Sequence, residues 1–140
     1  MDVLAIMISS LALIFSIVQF IKDNSRAKKE ATLIAYNRLQ DDVFSELTKY
    51  SYPMPNTDIG SEEWNELTVY LAKIEQFSVG INTRIYSIAV LNRLGGAFFV
   101  RQFEKLEPII AKKRKESRIP GSHYEEFEMV VKHLRNRNKR

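Results

Sequence analysis

The chain opens on its longest apolar run. Residues 3–21 read VLAIMISSLALIFSIVQFI, with no charge, no proline and no glycine. Nineteen such residues make a helix long enough to cross the hydrocarbon core of a bilayer. A core helix of a small soluble protein would turn a charged face to water, and this run has none. The pattern therefore predicts a transmembrane helix. A cleaved signal peptide would place positive charge before a shorter apolar run. Here Asp2 precedes the run, while Lys22, Arg26, Lys28 and Lys29 follow it. Positive flanks stay cytoplasmic, so the N-terminus is expected outside and everything after Lys22 inside. The four cations are also placed to touch anionic lipid heads.

Polar and small residues within the run share one face. Asp2, Ala5, Ser9, Ala12, Ser16 and Gln19 follow each other at steps of three and four. At about 100° per residue they fall within an arc of roughly 100°. The rest of the circumference is aliphatic or aromatic. Small residues let helix backbones approach, and Ser or Gln side chains bond across the contact, which makes the stripe a packing seam for an oligomer. The same stripe turned toward a shared axis lines a pore, with Asp2 as an acidic ring at its outer mouth. Ser10 lies off the stripe and is expected to bond back to its own helix.

The remaining pattern is helical throughout. Thr32, Tyr36, Leu39, Val43 and Leu47 lie along one line of a first cytoplasmic helix, which either continues the membrane helix or bends at Asp23-Asn24. Residues 50–60 are rich in turn formers, including Pro53, Pro55 and Gly60. Ser61 is placed to cap a helix over residues 62–79, with Trp64, Leu67, Leu71, Ile74 and Phe77 or Ser78 facing the core. Gly80 ends that helix in this reading, and Ser87 caps the next. Ile88, Leu91, Leu94, Phe98 and Leu106 mark its buried side, thickened by Phe99 and Phe103. Gly95-Gly96 in mid-helix predicts either a close approach or a kink, and Pro108 a new segment. Pro120-Gly121 reads as a turn, and Ser122 with Glu125 as a capping box. Tyr124, Phe127, Val131 and Leu134 form the last amphipathic stripe.

The fold class expected is all-α: a transmembrane helix over residues 1–22, then a cytoplasmic helical bundle over residues 23–140, assembled as a homo-oligomer. The sequence holds 21 Lys+Arg against 17 Asp+Glu, a net charge of +4, which is a modest excess for a protein that coats nucleic acid. No phosphate loop, zinc spacing or calcium loop is present. His123 and His133 lie ten residues apart on different faces, so neither a metal nor a cofactor is expected. Glu75 is assigned a structural ion pair with Arg84 or Arg93, and Glu62 with Glu66 a solvated face. Without a nucleophile beside a tuned base, catalysis is not expected.

Binding fits better. Arg84, Tyr86, Asn92, Arg93, Arg101 and Gln102 gather in sequence around Gly80 and Gly95-Gly96. Guanidinium groups hold phosphates bidentately, and a tyrosine stacks bases. The alternative is that these arginines are salt-bridged surface or subunit contacts.

The stretch YLAKIEQFSVGINTRIYSIAVLNRLGGAFFVRQFEKLEPIIAKKRK, residues 70–115, resembles a family of small bacterial proteins with one N-terminal membrane helix and a domain of unknown function. Ile74-Glu75-Gln76-Phe77, Gly80-Ile81-Asn82, Ile85-Tyr86, Leu94-Gly95-Gly96 and Arg101 carry the resemblance. Some of these relatives sit in anti-phage operons, and the chain is similar to the channel effectors of the Hailong defence system. The resemblance implies a homo-oligomeric inner-membrane ion channel of four or more subunits. It implies a partner nucleotidyltransferase that makes single-stranded oligodeoxyadenylate, which holds the channel closed. The competing expectation is a membrane-anchored interaction protein without conductance.

Overall fold

The computed structural model describes residues 3–52, 54–119 and 123–140. Asp2 and Ser122, and with them the outer acidic ring and the capping box, lie outside those residues, as do Pro53 and Pro120-Gly121.

A single rod dominates the molecule. Helix α1 spans Val3–Leu39 without a break at Asp23-Asn24, so the apolar run, long enough to cross a membrane, and the amphipathic stretch after it are one element. A π-helical turn, Gln40–Phe44, and a last turn, α2 (Ser45–Leu47), complete it. Every large apolar side chain of residues 3–21 is at least half exposed. From Thr32 downward the rod is gripped: Thr32, Tyr36, Leu39, Val43 and Leu47, the line expected from their spacing, are buried, and Phe44 beside them is buried too.

Three further helices form the grip: α3 (Glu62–Asn82), α4 (Ile88–Glu116) and α5 (Glu125–Asn138). Ser61 and Ser87 cap α3 and α4 as predicted, accepting from Trp64 N at 3.2 Å and Val90 N at 3.3 Å. Helix α5 packs on both α3 and α4, and the rod lies against the same pair. Phe99 of α4 is the hub of the core. Its ring meets Phe44 of the rod at 6.1 Å, Phe77 of α3 at 6.0 Å and Phe127 of α5 at 5.1 Å. Trp64 is 3% exposed and belongs to this core. Among the described residues every element is helical.

Several local expectations give way to tertiary contacts. Gly80 does not end α3, which runs on to Asn82. It makes room for the Tyr86 ring, which lies where a Cβ on Gly80 would project. Pro108 starts no new segment, because α4 continues through it. Burial of Leu106, Ile109 and Ile110 around it, at ~1.5–3 kcal/mol each, outweighs a proline penalty of ~3 kcal/mol. Gly95 is both a kink and a close approach: its backbone leaves the helical region, and a Cβ there would strike the Tyr36 hydroxyl. The kink turns Leu94 out, so this expected core residue is 38% exposed.

Candidate functional site

The small-polar face of the rod keeps its register beyond the apolar run because the helix does not break. At about 100° per residue, Asp23, Ala27, Glu30 and Asn37 continue the arc of Ala5, Ser9, Ala12, Ser16 and Gln19. All of these are exposed. The gripped residues Thr32, Tyr36 and Leu39 lie on nearly the opposite side. The bundle thus hangs on the back of the rod and leaves the polar face free along its length. Along that face, Ser9 Oγ donates to Ala5 O at 2.8 Å and Ser16 Oγ to Ala12 O at 2.9 Å. Ser10 does the same toward Ile6 at 2.8 Å, as expected. The stripe therefore presents hydroxyl lone pairs, the protons being used within the helix.

The rod is tied to the bundle by one buried hydroxyl. Thr32 Oγ1 accepts from Ser87 N at 2.7 Å and donates to Lys28 O at 2.7 Å. Ser87 closes the α3–α4 loop, in which Arg84 holds a left-handed backbone (φ 63°) and Tyr86 N donates to Gly80 O at 2.8 Å. This bond joins the loop directly to the rod.

The six candidate ligand residues do not converge within one subunit. Arg84 lines a cavity of about 500 Å³ with Asn82, His133, Asn136, Arg137 and Arg140. Tyr86 stacks on Phe77 at 5.5 Å and edges a second hollow with Arg38, Lys73 and Gln76. Arg93 borders a groove between the rod and α4. Asn92 packs its amide over Gly96, Gln102 is half-buried, and Arg101 is exposed. The sequence reading missed His133, Arg137 and Arg140, although the basic tail contained the signal. The side chains of Arg84, Arg137 and Arg140 make no ion pair or hydrogen bond among the described residues, so the first cavity is a concave cationic surface.

A family described as a domain of unknown function, DUF4760, matches residues 6–134. The chain belongs to this family. No curated protein and no solved structure matches it significantly. The DUF4760 match starts inside the apolar run of the rod and ends in α5, so it covers rod and bundle together.

Other charged groups of the DUF4760 chain do structural work. Glu75 does not pair with Arg84 or Arg93. Its carboxylate accepts from Glu126 N at 3.0 Å and Phe127 N at 2.8 Å and so caps α5 from across the bundle. Burial raises its pKa despite these two bonds. The Glu66 carboxylate accepts hydrogen bonds from the phenols of Tyr50 at 2.7 Å and Tyr70 at 2.6 Å, and the first fixes the loop after the rod to α3. These bonds lower the Glu66 pKa and push Tyr70 up to about 12. Lys105 donates to Leu47 O at 2.7 Å, ending the rod, and burial lowers its pKa. Lys112 bonds Thr57 O and lies 5.9 Å over Trp64, and Arg114 reaches Glu128 at 3.3 Å. Lys113 reaches Glu116 at 3.9 Å, so three of the four residues in the basic run 112–115 are engaged. No metal-ligating group of three or more side chains occurs among the described residues.

Proposed function

We propose that the chain is the subunit of an oligomeric inner-membrane ion channel of bacterial anti-phage defence, gated by an anionic nucleotide or single-stranded DNA oligomer on its cytoplasmic bundle. The observation that supports it is the placement of the bundle behind the rod. Copies can gather with Ser9, Ser16 and Gln19 toward a common axis, and no bundle stands in the way. Asp23 and Glu30, on the same arc, then give the inner mouth an acidic lining suited to cations. A ligand in the Arg84–Arg137–Arg140 cavity pulls on the loop that ends at Ser87 and, through Thr32, on the rod. It shifts gating by its preference for one state over the other.

The test is ion flux in vesicles holding the full chain, with oligodeoxyadenylate added and withdrawn. Flux should depend on the oligomer and vanish in Ser9→Leu with Ser16→Leu. Arg84→Ala should weaken oligomer binding at least tenfold, the loss of one charge-assisted phosphate contact. Flux unchanged by the serine pair rejects the pore. Oligomer binding unchanged by Arg84→Ala rejects the ligand site. Subunit counting by native mass should give four or more.

A second reading is a membrane-anchored scaffold, favoured by one detail. The hydroxyl protons of Ser9 and Ser16 are already used within the helix, as suits a dry seam. Ion-tight vesicles of a dimeric protein would establish it.

A further inference from the structure

The groove between the rod and α4 has features that the gating reading leaves unused. Arg26 and Lys29 of the rod and Arg93 of α4 border it, and Leu33, Val90 and Leu94 form its floor. Glu30 is the single acid on its wall. None of the three cations has an ion pair or hydrogen bond among the described residues. Elsewhere in the bundle Lys105, Lys112, Arg114 and Arg135 are all bonded. The floor is equally unpartnered, with Leu33 42% and Leu94 38% exposed.

Height decides what this groove meets. With the span ending at Ile21, Arg26 stands ~7.5 Å and Lys29 ~12 Å along the rod below the hydrocarbon edge. The polar layer of a leaflet is roughly 5–8 Å deep. Long basic side chains reach back toward it while their stems lie along apolar surface. A free phosphate has no use for a leucine and valine floor, whereas a phospholipid brings a glycerol ester backbone with its charge.

We infer that this groove is a binding site for the headgroup of an anionic phospholipid, clamped between the rod by Arg26 and Lys29 and the bundle by Arg93. Ordinary attraction of a basic juxtamembrane segment to anionic lipid needs only the rod. The clamp needs α4 as well, and it makes lipid composition a determinant of how firmly rod and bundle are held together. The inference requires the rod to sit in a bilayer and does not require conduction, so ion-tight vesicles leave it standing.

Native mass spectrometry of the full chain in detergent doped with phosphatidylglycerol or phosphatidylcholine tests it. The parent should retain phosphatidylglycerol preferentially. Arg93→Gln should lower that retention about fivefold, the share of one basic residue near an anionic surface. Arg93→Lys should restore most of it, and Lys115→Gln, at the far end of α4, should leave it unchanged. Equal retention of the two lipids by the parent overturns the site, as does full retention by Arg93→Gln. Displacement of the lipid by inorganic phosphate or oligodeoxyadenylate would also overturn it, by making the groove a site for soluble phosphates.

Discussion

The upper and lower halves of one helix have opposite fates. In the upper half Phe15 is 71% and Phe20 72% exposed, whereas in the lower half Phe44 is 1% exposed and Leu47 fully covered. Their sequences differ in the width of the apolar arc. Residues 3–21 are apolar almost all round, which suits lipid on every side but one. The lower half gathers its buried residues on one side, backed by Glu30, Arg38 and Asp41 toward water. Apolar content and arc width together separate the half left exposed along its whole circumference from the half that packs into a bundle.

The sharpest way to break that division is to remove one phenylalanine from each half. Phe44→Ala should destabilise the bundle by about 3–5 kcal/mol, because Phe44 packs against Phe98 and Phe99 at 5.3 and 6.1 Å. Phe15→Ala should change bundle stability by less than about 0.5 kcal/mol. Denaturant unfolding of the detergent-solubilised chain measures both. Comparable losses would mean that the upper half also folds against protein.

The grip itself depends on a backbone without a Cβ. Gly95→Ala drives a methyl into the Tyr36 hydroxyl and should cost about 1–3 kcal/mol. Adding Tyr36→Phe removes the struck oxygen, so the double variant should recover most of the loss. If the two changes simply add, the rod does not approach α4 as closely as described.

Two carboxylates of α3 sharpen the picture of how the bundle closes around the rod, and they do so with opposite signs. Glu75→Ala leaves two α5 amides without their acceptor and should cost about 2 kcal/mol. The folded pKa of Glu75 is raised above its ordinary 4.5 by burial. Its contribution is therefore fully present below the unfolded value and is lost as pH rises through the raised folded one. Glu66 is lowered from 4.5 by its two tyrosine bonds, so its contribution is present above the unfolded value and is lost as pH falls through the lowered one. Stability profiles of Glu75→Gln and Glu66→Gln against the parent should hence diverge in opposite directions on acidification. Parallel profiles would refute the assignments.

What the sequence made legible was local. The Thr32-to-Leu47 line, the Trp64 stripe and the Ser61 and Ser87 caps each rest on residues three or four apart. What it hid joins distant segments: Glu75 to Glu126 across 51 positions, and Thr32 to Ser87 across 55. No periodicity records such pairs. Gly80 and Pro108 were misread for the same reason, since a turn signal is overridden when packing supplies a better use or a larger gain. The candidate ligand set suffered most. Arg84, Tyr86 and Arg93 are near neighbours in sequence, yet the α3–α4 loop sends them into three separate hollows.

The smallest expected effect on stability bears most directly on what the upper half is for. Ser10 and Ser16 make the same bond to their own backbone, at 2.8 and 2.9 Å, and both are exposed. Replacing either by leucine removes the same interaction and adds the same bulk, so the change in helix stability, a few tenths of a kcal/mol, should match. Only direction differs: Ser16 lies on the small-polar arc and Ser10 about 120° away from it. Any divergence between Ser16→Leu and Ser10→Leu in subunit count or ion flux therefore reports what that arc faces. Loss of both oligomer and flux in Ser16→Leu alone makes the arc the contact and the conduit. Loss of oligomer without any parent flux makes it a seam, and equal behaviour of the two variants removes the stripe from the function altogether.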